Sequence, residues 1–299
     1  MQLRQALNAA VERLTSARVP SPRMNAELLI MFTLDRDRAH LYAHPERELT
    51  PDEMQRYDEA VGRRATGVPA QYITGHQEFW GLDFIVSPAV LIPRPETEHV
   101  VEAVLELAKP DEREPALSLP KGRPSPHDLR IVDVGTGSGA IAIALAKELP
   151  AAEIHATDIS SEALEVARAN AARHELTSRI EFHRTDLLGG LPPASFDIVV
   201  SNPPYVGDSE EESVQLEVRK FEPRNAVFAG PTGLEVIERL IPLAREALRP
   251  GGWLVFEISG TIADRVRSRL SSWDWDDVAI RNDLQGIARV AIARKPTRG

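Results

Sequence analysis

The sequence predicts an α/β protein: a mostly parallel, doubly wound sheet with an antiparallel last strand, preceded by a small helical domain. Three observations carry this. From Arg130 onward, short apolar runs alternate with stretches of helical periodicity, as a chain of strand–helix crossovers requires. The last two apolar runs, "WDDVAIR" and "ARVAIARK", are separated only by "NDLQGI", too short for a parallel crossover. Before residue 75 the apolar residues recur at helical rather than strand spacing.

In the first helix, Leu3, Leu7, Ala10, Val11 and Leu14 fall on one face, and Met24, Leu28, Leu29, Met31 and Phe32 form a second stripe. A third helix opens at "TPDE". There Thr50 can cap, Pro51 suits the first turn and Glu53 completes a capping box, and the helix runs to near Gly67. Residues 1–74 are read as a small helical domain. Its "GRRATG" is read as a solvated helix end, and His40 and His44 as surface histidines. Residues 75–95 are read as a β-hairpin linker, since Phe79, Leu82, Phe84 and Val86 alternate around a turn near Gly81. "IPRPETE" then leads rigidly into a helix from about Glu96 to Ala108.

Residues 96–299 form the main domain. Within it, residues 109–129 are rich in Pro and charge with little periodicity, and are read as a mobile surface linker. The strands that follow are "RIVDVG", "EIHATD", "RIEFHR", "FDIVVSN" and "GWLVFEI".

Composition narrows the function. A chain of 299 residues, 42% hydrophobic and 27% charged, has ample core material and no run long enough to span a membrane. The amphipathic start lacks the apolar block of a secretory signal, and a cytoplasmic location is expected. With 0 cysteines, disulfides and thiol catalysis are excluded; no metal site is assigned. A net charge of −10 counts against binding held by nucleic-acid phosphates, so no direct nucleic-acid binding is expected.

Two motifs carry chemistry. "VDVGTGSGAIAIALA" places Asp133, Gly135, Thr136, Gly137, Ser138 and Gly139 where the first sheet strand turns into a helix. Glycines there admit a ligand close to the backbone and leave helix N–H groups facing it. The pattern fits a dinucleotide loop through Gly135, Gly137 and Ala140, or the loop that holds S-adenosyl-L-methionine (AdoMet) in Rossmann-like methyltransferases. Asp158 ends the second strand, where an acid accepts bonds from ribose hydroxyls or, alternatively, caps the next helix, a task Ser160 could also perform. Asp186 and Leu187 fall near the adenine position, one to accept the amino group and one to pack on the ring.

The second motif, "NPPY", separates the two cofactors. Hydride transfer has no use for it, whereas methylation of a conjugated nitrogen does. That nitrogen is a poor nucleophile because its lone pair is delocalised. The Asn202 side-chain carbonyl and the Pro203 main-chain carbonyl can accept its two N–H groups and favour the charge developing on it. Pro203 and Pro204 stiffen the backbone, and Tyr205 can stack on the planar group. Such a plane belongs either to a base or to a glutamine amide. The acidic chain favours the amide.

The chain resembles the HemK-type enzymes, which methylate N5 of the glutamine in the Gly-Gly-Gln tripeptide of peptide chain release factors. The segments "GHQEFWGLDFIVSPAVLIPRPETE", "VVSNPPYV", "FEPRNAVFAGPTGLEVIERLI" and "DLQGIARVAIA" carry the resemblance, together with the glycine loop and "ATDIS". It implies an AdoMet-dependent transferase with a helical N-terminal domain and release factors as the protein partner. It also implies cofactor contacts from Gly135 to Gly139, Asp158, Leu187 and Asn202, and a glutamine site at Asn202 to Tyr205. A sister family modifies a ribosomal-protein glutamine but carries "PRSPI" where this chain has "PRPETE". Nucleic-acid N6-adenine methylation is the other alternative.

Overall fold

A computed structural model describes residues 1–109 and 129–297. The linker expected at 109–129 lies, apart from its two end residues, outside the described residues. The chain forms two compact units: residues 1–76 with Val214–Phe221, and residues 77–213 with 222–299.

The first unit contains α1 (Leu3–Ser16), α2 (Pro22–Leu34), α3 (Arg38–Ala43), α4 (Pro51–Ala65) and α5 (Ala70–Thr74). The helical stripe of α1 is buried at Leu3, Leu7, Ala10 and Leu14, against Leu29 and Ile30 of α2 and Tyr57 and Val61 of α4. The capping box at α4 forms as the sequence expects, with Thr50 accepting from the Glu53 N–H and Glu53 accepting from the Thr50 N–H. The "GRRATG" expectation needs correction at one residue. Arg64 is only 3% exposed, and its guanidinium donates to Asn25 Oδ1 (2.7 Å), the Val68 carbonyl (3.2 Å) and Glu217 Oε2 (2.6 Å). A charge can be buried there because every face of the fork meets an acceptor.

The second unit opens with a hairpin, β1 (His76–Phe79) and β2 (Leu82–Ile85), and α6 (Glu98–Ala108), which a single 3₁₀ turn at Pro95–Thr97 introduces. The doubly wound part follows as β3 (Arg130–Val134), α7 (Ala140–Glu148), β4 (Glu153–Asp158), α8 (Ser161–Arg173), β5 (Ile180–Arg184) and β6 (Phe196–Ser201). A short ladder pairs β7 (Val206–Gly207) with β8 (Phe228–Gly230), which α10 (Arg224–Val227) precedes, while α9 (Leu216–Phe221) belongs to the first unit. The chain closes with α11 (Glu235–Ala247), β9 (Leu248–Glu257), α12 (Ala263–Ser272), β10 (Asp276–Asn282) and β11 (Ala288–Arg294).

The main sheet has seven strands in the order β10-β11-β9-β6-β3-β4-β5. All neighbours are parallel except β11, which runs antiparallel to both β9 and β10. Alternation along β3 sends Ile131 to one face, under α6 and α7, and Val132 and Val134 to the other, under α11 and α12. Chain order reverses between β3 and β6, so the carboxyl ends of β3, β4 and β6 open on a switch-point crevice. No described helix is long and apolar enough to cross a membrane.

Candidate active site

A cavity of about 560 Å³ occupies that crevice. Of the residues singled out in the sequence, Gly135, Thr136, Gly137, Ser138, Asp158, Asp186, Leu187, Asn202 and Pro204 line it. Asp133, Gly139, Pro203 and Tyr205 are not on its wall.

The glycine loop is built by backbone geometry. Gly135 and Gly137 have φ of +71° and +56°, a region that other residues enter only under strain, and a Cβ on either would point into open space. The loop is pinned by the Gly135 and Thr136 N–H groups, both donating to the Thr157 carbonyl at 2.9 Å. Gly139 has a packing role instead: a Cβ there would come 3.1 Å from Ile143 and 3.2 Å from Ala167.

Asp133 lies beneath this loop, 1% exposed. Its Oδ2 accepts from the Thr136 hydroxyl (2.6 Å) and the Ala142 N–H (3.2 Å), so it shapes the loop from below. Burial pushes its carboxyl up to about 7, against the pull of those two donors.

Asp158 stands at the end of β4. It accepts from the Gly137 N–H and the Ser160 N–H, both at 2.9 Å, which leaves about two acceptor positions toward the cavity. The helix cap falls to Ser160, whose hydroxyl accepts from the Ala163 N–H at 3.1 Å. Asp186 pairs with Arg239 at 2.5 Å, and Leu187 holds a left-handed φ of +52°.

The second motif follows β6. Asn202 donates from Nδ2 to the Thr97 hydroxyl at 3.0 Å. Thr97 in turn donates to Glu257 Oε2 at 2.6 Å, and the Tyr205 hydroxyl donates to Glu257 Oε1 at 2.9 Å. Glu257 is 1% exposed. Burial raises its carboxyl above the ordinary range, opposed by the two hydroxyl donors and by Arg289. Burial also pushes the Tyr205 hydroxyl up, reinforced by the carboxylate it meets. Tyr205 thus directs its hydroxyl inward to Glu257, and Pro203 is buried beside it.

Two further segments add to the wall. "VSPAVLIPRP" contributes Val90, Leu91 and Pro93, and "FEPRNAVF" contributes Pro223, Asn225 and Phe228. Glu222 joins the two: its carboxylate accepts from the Ile92 N–H at 3.1 Å and pairs with Arg94. Thr97 and Arg239 also line the cavity and went unremarked in the sequence. Their only signal was membership in motif-rich stretches. Away from the cavity, His155, Glu181 and His183 gather three ligand-type atoms. The two ring nitrogens are 2.9 Å apart and the ring centroids 5.2 Å, which leaves only a ring radius at each end. The nitrogens therefore face each other head-on, as in an N–H···N hydrogen bond.

The crevice suits AdoMet. Gly135 and Gly137 cradle space that a Cβ would fill, and Asp158 keeps acceptors for ribose hydroxyls. Fold and site define a Rossmann-like, AdoMet-dependent methyltransferase. Residues 5–75 match the family model described as the PrmC N-terminal domain, and residues 118–220 match the methyltransferase small domain. The chain is 53% identical to the release factor glutamine methyltransferase of Koribacter versatilis (strain Ellin345), over 99% of this chain and 100% of that one. It is 37% identical to the enzyme of that name from Coxiella burnetii (strain RSA 493 / Nine Mile phase I), over 99% of each. The chain belongs to the release factor glutamine methyltransferase family. The fold alone is shared with the hMettl16 catalytic domain solved in complex with MAT2A 3'UTR hairpin 6. That match has a TM-score of 0.55 at 16% identity, over 81% of this chain and 83% of that one.

Proposed function

We propose that this chain transfers a methyl group from AdoMet to N5 of the glutamine in the Gly-Gly-Gln motif of peptide chain release factors. The observation that carries the proposal is the full-length 53% identity to a release factor glutamine methyltransferase. Two features support the site. An asparagine on the wall of the glycine-loop cavity has its amide nitrogen engaged by Thr97, and the net charge of −10 suits a protein rather than a nucleic acid.

When bound, AdoMet supplies an electrophilic methyl group on a sulfonium. Gly135 to Ser138, Asp158, Asp186 and Leu187 hold the cofactor. Asn202 Oδ1 and the Pro203 carbonyl accept the two N–H groups of the substrate amide, orienting its nitrogen and favouring the positive charge that grows on it. Buried Pro203 needs no reorganisation. Tyr205 keeps the loop in place through Glu257. No strong base is required, because the nitrogen loses its proton to water after the methyl group arrives. The helical unit is assigned to recognition of the release factor, and the reaction to the cytoplasm.

The test is methyl transfer from labelled AdoMet to a release factor, beside the same factor with its Gly-Gly-Gln glutamine changed to alanine. Label is expected only in the first. Equal labelling of both would sink the proposal, and nuclease-sensitive label would move the activity to a nucleic acid.

A further inference from the structure

The orientation of the Asn202 side chain is not free. A primary amide has one accepting end and one donating end, and only the accepting end is useful to a substrate N–H. Exchanging the two ends changes the shape of the site hardly at all. Something other than shape must therefore select between them.

The hydrogen-bond chain behind Asn202 makes the selection. Thr97, Tyr205 and Arg289 all favour the ionised form of Glu257, and a carboxylate can only accept. It receives one hydroxyl proton from Thr97 and one from Tyr205. A threonine hydroxyl has a single proton, and with that proton given to Glu257 its oxygen can only accept from the other side. Asn202 faces that oxygen at 3.0 Å. The donating end of the amide satisfies it. The accepting end would set two oxygens together with no proton between them, next to a threonine that is 4% exposed. We infer that Thr97 and Glu257 are positioning residues that lock the Asn202 amide with Oδ1 turned toward the substrate. This deepens the function proposed above and rests on its reading of Asn202. The direction of each bond is set by the one behind it, from a carboxylate at the end of β9 to the amide at the end of β6.

The pair also links three distant parts of the chain. Thr97 lies 160 residues from Glu257 and 105 from Asn202. The "IPRPETE" segment thereby supplies the hydroxyl that fixes the direction of the chain.

The experiment uses the full chain, labelled AdoMet and a release factor, with kcat, KM and the calorimetric Kd for AdoMet measured separately. Thr97→Val keeps the shape and removes the hydroxyl. It should lower kcat by about ten- to a hundredfold while the AdoMet Kd moves by less than about threefold. Thr97→Ser restores the hydroxyl and should return kcat to within about threefold of the parent. In an Asn202→Ala background, where residual turnover is followed by label, Thr97→Val should change the rate by less than about twofold, because the group it orients is gone. If Thr97→Val does not fold, Glu257→Gln decides: it offers a donor where two hydroxyls need acceptors, and should lower kcat by about tenfold. Parental kcat in Thr97→Val or Glu257→Gln, with Asn202→Ala lowered by about a hundredfold or more, overturns this inference and leaves the function standing. Parental kcat in Asn202→Ala overturns the reading of Asn202, and this inference with it.

Discussion

A Cβ placed on Gly233 would stand 2.6 Å from the carbonyl oxygen of Tyr205. That distance is too short for any carbon to occupy, and Gly233 also sits at φ +79°. The glycine of "GPTGLE" is therefore the surface against which the "NPPY" loop rests. Gly233→Ala should push the loop out of place, at a backbone cost of about 1–2 kcal/mol before the clash is counted. The expected result is a kcat lowered by about tenfold or more, with far-UV circular dichroism unchanged. Steady-state methylation assays with the purified variant check this.

Asp133 gives the protein a pH-dependent stability. Its carboxyl titrates at about 7 in the folded chain, against an ordinary value of 3.8. Between those values the folded state holds the proton and the unfolded state has lost it, so stability falls as pH rises from about 4 to 7 and then levels off. Asp133→Asn mimics the protonated form and should escape that loss. Thermal melts should show the variant more stable than the parent at pH 8, by about 1–3 kcal/mol, with the advantage shrinking toward pH 5.

Asp158→Ala removes the acceptor at the end of β4 and frees the Gly137 N–H it now engages. A lost bond to a charged group costs about 1.5–3 kcal/mol. AdoMet should therefore bind about ten- to a hundredfold more weakly, as read by calorimetry, while Ser160 keeps its cap on α8.

Arg64→Met should destabilise the helical unit by about 2 kcal/mol, because it strips three acceptors of a buried donor and leaves Glu217 alone. Glu217 is 26% exposed and can rehydrate, so Glu217→Gln should cost less. Denaturant melts of both variants check the ranking.

The strand–helix rhythm after Arg130 was legible because each element is short-range and periodic, and the six-residue "NDLQGI" could only join antiparallel neighbours. The glycine loop and Thr50 were legible for the same local reason. Arg64 and Thr97 were not. Within their own windows one resembles a solvated helix end and the other a threonine in a polar lead-in. What changes their meaning is a partner more than 100 residues away, Glu217 for one and Glu257 for the other. Asp133 lies beneath the loop rather than on the cavity wall, and spacing alone identifies a loop without saying which of its residues face up. Tyr205 is expected to stack its ring on the substrate amide, and its hydroxyl is held by the buried Glu257, a contact between residues 52 apart that spacing does not reveal.

The short ladder of β7 and β8 pairs Val206 with Phe228, and Gly207 with Gly230. Val206 is the residue after "NPPY", and Phe228 is on the cavity wall. The segment that follows "NPPY" and a wall of the cavity are thus held together as one piece of backbone. A displacement of either is transmitted to the other through backbone hydrogen bonds rather than through a side chain, so a sequence that keeps the ladder keeps the loop and that wall in step.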